Sequence, residues 1–113
     1  MKLEEIVELV NAKVICGDIK GKEIASGFSS DLMSDVLTLD TEHMLLITGI
    51  ANLQTIRTAE MAEVPCILLV RNKKAPPEMI ALAKEHGTVL LETPHSLFRT
   101  SGILFCAGLN PVY

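Results

Sequence analysis

Short apolar runs and amphipathic segments alternate along the chain from residue 43 to residue 92. The runs lack polar alternation, which is typical of strands covered on both faces of a sheet. The segments between them have the period of a helix with one buried face. Strands joined through helices lie parallel, because a direct hairpin would reverse their direction. The pattern therefore predicts a β-α-β-α-β core, with strands at 44–47, 66–70 and 89–91 and helices at 52–62 and 77–86.

Three further elements are predicted before residue 30. The i, i+3, i+4, i+7 spacing of apolar residues from Leu3 to Val10 predicts a helix. Lys13–Cys16 predicts a short strand, and residues 23–28 predict a strand that returns beside it after a glycine-containing turn. The turn at 17–22 is one residue short of a phosphate loop and precedes no helix, so we interpret it as a plain turn.

The remaining segments predict one helix before the core and one after it. The first is capped by Ser30 or Asp31 and ends at Leu39 and Asp40-Thr41; its expected inward-facing residues are Leu32, Met33, Val36 and Leu37. The second runs from residue 95 or 96 to 107, and Gly102 within it indicates close packing or a bend. We therefore expect a single α/β domain over residues 1–113, with a mostly parallel central sheet of about four to five strands flanked by helices.

Composition indicates a homodimer and argues against nucleic acid and anionic membranes as partners. Hydrophobic residues make up 49% of the 113 residues, with a mean hydropathy of +0.37. Since a chain of this size buries only about two-thirds of its unfolded surface, we expect a homodimer to cover part of the surplus. A net charge of −4, with no basic stripe, argues against nucleic acid and anionic membranes as partners.

Localisation is predicted from the N-terminus and the cysteines. Acidic residues follow Met1 where a signal peptide would be apolar, and no run approaches the ~18 apolar residues of a spanning helix. The three cysteines are far apart and odd in number, which favours a reduced cytoplasm over a disulfide framework.

Four segments together resemble the stand-alone DRTGG-domain proteins. Ser30–Leu37 is the most specific of them, and it is followed by Leu46–Gly49, Ile56–Met61 and Leu69–Lys73. The resemblance covers essentially the whole chain. It implies an α/β fold like the N-terminal domain of HPr kinase/phosphorylase and the related domain of Mur ligases.

The resemblance also implies a regulatory or accessory role, because DRTGG domains occur beside CBS domains. Stand-alone members are often encoded near iron–iron hydrogenase components, which implies a redox enzyme as a protein partner. The literal five-letter string is absent here and only Thr48-Gly49 is reminiscent of its end. The kinase's phosphate-loop domain is absent as well, so kinase activity is not carried over.

The carboxyl ends of the predicted parallel strands mark the candidate binding site. Ligands of open α/β sheets bind outside these ends. Gly49 would let backbone approach an anion, and arginine side chains would add bidentate contacts to phosphate or carboxylate. The ligand-binding candidates are Ser30, Asp31, Thr48, Gly49, Arg57, Arg71 and Thr93.

Each candidate has a structural alternative. Ser30 and Asp31 can act as helix caps alone, Arg57 can pair with Glu60 or a neighbouring subunit, and the basic loop at 71–74 can be simply solvated. No metal-binding spacing is present, so neither a metal nor a cofactor is expected, and the cysteines fit core positions. His43, His86 and His95 fit loop or cap positions better than that of a catalytic base.

Two functional hypotheses follow. The first is a non-catalytic regulatory module that binds a small anionic ligand or nucleotide at the strand ends. The second is a dimeric interaction module associated with an iron–iron hydrogenase system. Enzymatic activity is the least favoured alternative, and no catalytic residue is assigned.

Overall fold

The computed structural model describes residues 1–39 and 42–113. The helices are α1 (Leu3–Leu9), α2 (Met33–Val36), α3 (Leu53–Met61), α4 (Pro77–His86) and α5 (Leu97–Cys106). The strands are β1 (Lys13–Cys16), β2 (Ser26–Ser29), β3 (Met44–Thr48), β4 (Cys66–Leu69), β5 (Val89–Glu92) and β6 (Asn110–Pro111). The predicted β-α-β-α-β core is therefore confirmed as β3-α3-β4-α4-β5.

The strands form one six-stranded sheet in the order β1-β5-β4-β3-β2-β6, parallel except for the antiparallel edge strand β1. The predicted α/β class is confirmed, with more strands than the four to five expected. One pairing was predicted wrongly, because residues 23–28 do not return beside β1. Instead β2 pairs with β3 and β6, near the edge of the sheet that lies opposite β1. The two-residue strand β6 is not among the predicted elements.

The handedness of the crossovers explains which face each helix covers. The connections β2-α2-β3-α3-β4-α4-β5 all step in one direction across the sheet, and α2, α3 and α4 share one apolar core on one face. The connection β5-α5-β6 steps back across three strands. A crossover of the same hand must then lie on the opposite face, where α5 and α1 pack on a second core.

Local sequence accounts for the helix ends within the core. Asn52 caps α3, its side-chain oxygen accepting from the Thr55 N–H at 3.2 Å. Gly87 ends α4 in the left-handed conformation with φ 71°, where a residue without Cβ is favoured. Ser96 caps α5 by accepting from the Arg99 N–H at 3.1 Å.

Two helix predictions need correction. The helix α2 is a single turn, so Met33 and Val36 are buried while Leu32 and Leu37 remain exposed rather than facing inward; its predicted end at Asp40-Thr41 lies outside the described residues. Gly102 marks no close packing, because a Cβ at this position would meet no atom within 4 Å. In the described parts of the chain, no helix is long and apolar enough to cross a membrane.

Candidate functional site

Four of the predicted residues meet at the carboxyl ends of β2, β3 and β4. We call Asp31, Thr48, Gly49 and Arg71 the strand-end cluster. One carboxylate oxygen of Asp31, Oδ1, accepts from the Thr48 hydroxyl at 3.0 Å and from the Gly49 N–H at 2.8 Å. The other oxygen, Oδ2, accepts from Arg71 Nη1 at 3.0 Å. A side chain from one loop thus ties together the loops that follow three adjacent parallel strands.

An unusual backbone conformation positions Arg71. Arg71 and Asn72 both have left-handed φ values, 60° and 57°, which are uncommon for residues other than glycine. Two hydrogen bonds to the loop after β5 hold the pair, from the Arg71 N–H to the His95 carbonyl at 2.8 Å and from the Asn72 N–H to the Thr93 carbonyl at 3.2 Å. The turn directs the guanidinium back over β3.

Gly49 provides the space that the Arg71 guanidinium occupies. A Cβ built at Gly49 would overlap Nη1, Nη2 and Cζ of Arg71. No left-handed φ is involved at Gly49, so the requirement for glycine comes from the arginine above it and not from the backbone. The sequence pattern predicted that Gly49 would allow a close approach to an anion, whereas the group that approaches it is this cation.

The cluster is close to electrically neutral, and its two charged side chains are partly exposed. The hydrogen bond from the Gly49 N–H, with Arg71 and Thr48 adding to it, lowers the pKa of the Asp31 carboxyl despite the opposing effect of partial burial. The side chains of Arg71 and Asp31 are 40% and 37% exposed, so solvent screens their attraction and a ligand can reach it. Within the described residues the guanidinium uses only its Nη1 donor, for Asp31, which leaves its other N–H groups for a ligand.

The other predicted residues take different places. The Ser30 hydroxyl accepts from the Leu32 N–H at 3.0 Å at the start of α2, so it makes a turn beside the cluster. Arg57 is exposed on α3, and among the described residues it forms no ion pair, with Glu60 or any other group. Thr93 is buried and donates its hydroxyl to the Val10 carbonyl at 2.7 Å, which joins β5 to the end of α1. A ligand role for these three residues stays a prediction.

The topological switch point of the sheet lies next to the cluster and is closed. The chain leaves β4 toward the α4 face and leaves β5 toward the α5 face, and a crevice between two such strands is the usual ligand position in open α/β sheets. Here the hydrogen bonds from Arg71 and Asn72 to the loop after β5 join the two loops across the crevice. The open polar groups are therefore one strand away, above β3.

Glu92 is a fixed carboxylate whose position the sequence could not give. It is buried at the end of β5, and its Oε2 accepts from the Ala75 N–H at 2.8 Å while Oε1 lies 3.6 Å from Lys74 Nζ. These contacts anchor the loop that carries Arg71. The only indication of this position in the sequence is that a polar residue directly follows an apolar run.

Among the described residues, no group of three or more His, Cys, Asp or Glu side chains could hold a metal ion. Burial raises the pKa values of the Cys16 and Cys66 thiols, as expected for cysteines that act as core residues. Cys106 was predicted to be a core residue as well, but it is exposed.

Comparisons with known proteins agree with this fold. The family model of the DRTGG domain matches residues 5–105. A crystal structure of the CBS and DRTGG domains of the regulatory region of Clostridium perfringens pyrophosphatase, complexed with its activator diadenosine tetraphosphate, is similar with a TM-score of 0.71 and 17% identity. The similarity covers 98% of this chain and 48% of that one, so this chain spans about half the length of that structure. No protein of curated function matches the sequence.

Proposed function

The chain belongs to the DRTGG domain family, and from that premise we propose that it is a non-catalytic regulatory module whose strand-end cluster binds a small anionic ligand of the nucleotide class. One observation carries the proposal. The Arg71 guanidinium is held over Gly49 by a single hydrogen bond to Asp31, its side chain is 40% exposed, and its other N–H groups have no hydrogen-bond partner among the described residues. Guanidinium donors in a fixed plane are suited to phosphate or carboxylate oxygens.

Asp31 acts in this proposal as the group that positions Arg71. Its carboxylate already accepts from the Gly49 N–H and the Thr48 hydroxyl, so an incoming anion binds the arginine and does not replace these contacts. A sugar hydroxyl of the same ligand can donate to Asp31 Oδ2, which accepts only from Arg71 within the described chain. A phosphate next to a sugar fits this pairing of donor and acceptor.

The fold similarity supports a regulatory role. The similar pyrophosphatase structure is a regulatory region with a bound nucleotide activator. Since the identity is low, this likeness supports the fold, and the ligand class rests on the chemistry of the cluster.

A thermal-shift screen tests the proposal with adenine and guanine mono-, di- and triphosphates and diadenosine tetraphosphate. A ligand that binds only the folded state stabilises it by about 2.7 kcal/mol at a concentration of 100 Kd. We expect this stabilisation in the wild type and its loss in Arg71→Ala. Arg99→Ala is the matched control, because it removes the same charge from an exposed residue of α5 that is neither in the cluster nor among the ligand-binding candidates. No stabilisation by any ligand, or equal loss in both variants, would contradict the proposal.

A second candidate function, a dimeric interaction module, is favoured by exposed apolar side chains. Leu32, Leu37 and Met61 are 58%, 47% and 73% exposed, and they belong to or flank α2 and α3, which pack against each other. Large exposed apolar side chains that lie on neighbouring elements are typical of protein interfaces. We infer that a second copy, or a redox enzyme such as an iron–iron hydrogenase component, would cover them.

Light scattering over a range of micromolar concentrations tests the dimer. The expected result is a mass that doubles with concentration in the wild type and stays at the monomer value in Met61→Lys. A monomeric wild type at every concentration would contradict the dimer, and co-purification of a redox enzyme with the wild type alone would support the docking role.

A further inference from the structure

A cleft lies on the α5 face of the sheet, separate from the strand-end cluster. It has a volume of about 340 Å³ and opens between α5 and the edge formed by β2 and β6. This volume is at the lower end of the range of small-molecule pockets. Its walls include Phe98 and Phe105, two phenylalanines that are 89% and 67% exposed.

The spacing on α5 explains why the cleft is open. Phe98, Gly102 and Phe105 lie at i, i+4 and i+7, so they share one face of the helix with the glycine between the rings. A Cβ at Gly102 would meet no atom within 4 Å. Opposite the helix, the sheet contributes Gly27, whose missing side chain leaves room for Leu109. The result is an open slot along α5, with Phe98 and Phe105 on either side of Gly102.

A slot of this kind fits a planar ring. Phenylalanine rings prefer offset or edge-to-face contacts with other aromatic groups, and neither Phe98 nor Phe105 gains much from the fold while it is exposed. Among the residues that the structure describes, no charged side chain lines the cleft, so a charged ring would remain unpaired there. The occupant is therefore expected to be a neutral aromatic ring.

The hydroxyl groups of Ser29 and Ser101 specify one edge of that ring. Their oxygens are 2.6 Å apart, and Ser101 also donates to the Leu97 carbonyl at 2.8 Å. Because a hydroxyl has one proton, Ser29 must donate to Ser101 and keeps its lone pairs for an incoming donor. Both serines line the cleft, as does Asn110. These groups suit a ring that carries an amino group and ring nitrogens.

We propose that this cleft is a second binding site, which takes a neutral, amino-bearing heteroaromatic ring of the nucleobase type. The site stacks the ring between Phe98 and Phe105 and accepts its amino group at Ser29. It uses none of the residues of the strand-end cluster, so it does not depend on the function proposed above.

An NMR titration of the full chain with adenosine, which has no phosphate, tests this site. We expect amide shifts in α5 and β6, and binding roughly tenfold weaker for Phe98→Ala, since loss of one stacking contact has about that effect. Purine riboside lacks the amino group and should also bind more weakly than adenosine. The amides of Gly49 and Arg71 should not shift with adenosine, which separates this site from the cluster.

Gly102 provides the decisive pair of variants. Gly102→Leu should fill the slot and abolish the adenosine shifts, while Gly102→Ala should keep them, because both replace the glycine but only leucine reaches across the cleft. Unchanged binding in Gly102→Leu, or no adenosine shifts in α5 at all, would overturn the proposal. It would also be overturned if the mass of the wild type doubled with concentration and Gly102→Leu prevented the doubling, since a second copy would then fill the cleft.

Discussion

At the scale of single residues, the Asp31 carboxylate controls the strand-end cluster and makes it sensitive to acid. Its pKa is lowered in the folded protein, first by the Gly49 N–H. The unfolded chain therefore binds a proton more readily, at a pKa of about 3.9. The stability that Asp31 contributes is fully present above that pH and is lost as the pH falls through the lower pKa of the folded state.

Asp31→Asn should therefore lower the melting temperature near neutral pH, with a difference from the wild type that shrinks below a pH of about 4. Thermal melts recorded across this range measure the difference. Asp35→Asn, which removes a carboxylate from an exposed position on α2, is the control and should show no comparable trend. A difference that stays constant down to the acid limit would contradict the role given to Asp31.

The position of the Arg71 guanidinium depends on the absence of a side chain at Gly49. In Gly49→Ala the new methyl group would push the guanidinium away, and the flexible end of the arginine can yield. We expect the free energy of unfolding to fall by no more than about 1 kcal/mol, since the lost ion pair is exposed. Nucleotide binding should weaken as much as in Arg71→Ala. Denaturant melts and ligand titrations measure the two effects, and full binding by Gly49→Ala would show that the arginine position is irrelevant.

At the scale of elements, Thr93 connects the sheet to α1. Its buried hydroxyl donates to the Val10 carbonyl at the end of that helix and also accepts from the His95 N–H at 3.3 Å. Thr93→Val keeps the shape of the side chain and leaves both backbone groups without this partner. We expect a loss of about 1–3 kcal/mol in the free energy of unfolding, measured by denaturant melts.

Thr38→Val is the matched control for this element contact. The Thr38 hydroxyl donates to the Asp35 carbonyl at 2.7 Å at an exposed position, so water can replace it and the effect should lie within about 0.5 kcal/mol. Equal losses in the two variants would mean that Thr93 does not join α1 to the sheet as described. A loss of nucleotide binding in Thr93→Val at unchanged stability would instead return Thr93 to the ligand site.

At the scale of the whole molecule, the sequence predicted what depends on local pattern. Strands β3, β4 and β5 are buried on both faces, so their apolar runs and flanking helices were recognisable. The partner of β1 was not, because the choice of sheet edge depends on pairing between residues far apart in the chain, such as Val14 with Leu91. The two-residue β6 is too short to show a period.

Only part of the strand-end cluster could be predicted from the sequence. Parallel strands bring their carboxyl ends to one edge, so the meeting of Asp31 with Thr48 and Gly49 could be predicted. That Arg71 and not Arg57 joins them depends on two left-handed residues and on hydrogen bonds to the loop after β5. Arginine has no intrinsic preference for the left-handed conformation, so nothing in the sequence indicates this turn.

The cooperativity of the fold can be followed through its three cysteines. Cys66 is fully buried in β4 at the centre of the sheet, and burial raises the pKa of its thiol. Cys16 is buried in the edge strand β1, whereas Cys106 is exposed on α5. Reaction of a thiol requires access and the thiolate form, so each cysteine reports a different degree of opening.

We expect a thiol reagent to modify Cys106 at once and Cys16 slowly, through local separation of β1 from β5. Cys66 should react only when the sheet comes apart. The strand β4 contributes side chains to both apolar cores, so opening β4 exposes both cores together. The rate at which Cys66 reacts should then rise with denaturant as steeply as global unfolding does, measured by mass spectrometry of timed samples. Cys106→Ser should remove the fast phase alone. A Cys66 rate that is insensitive to denaturant would contradict this coupling, because β4 would then open without the rest of the sheet.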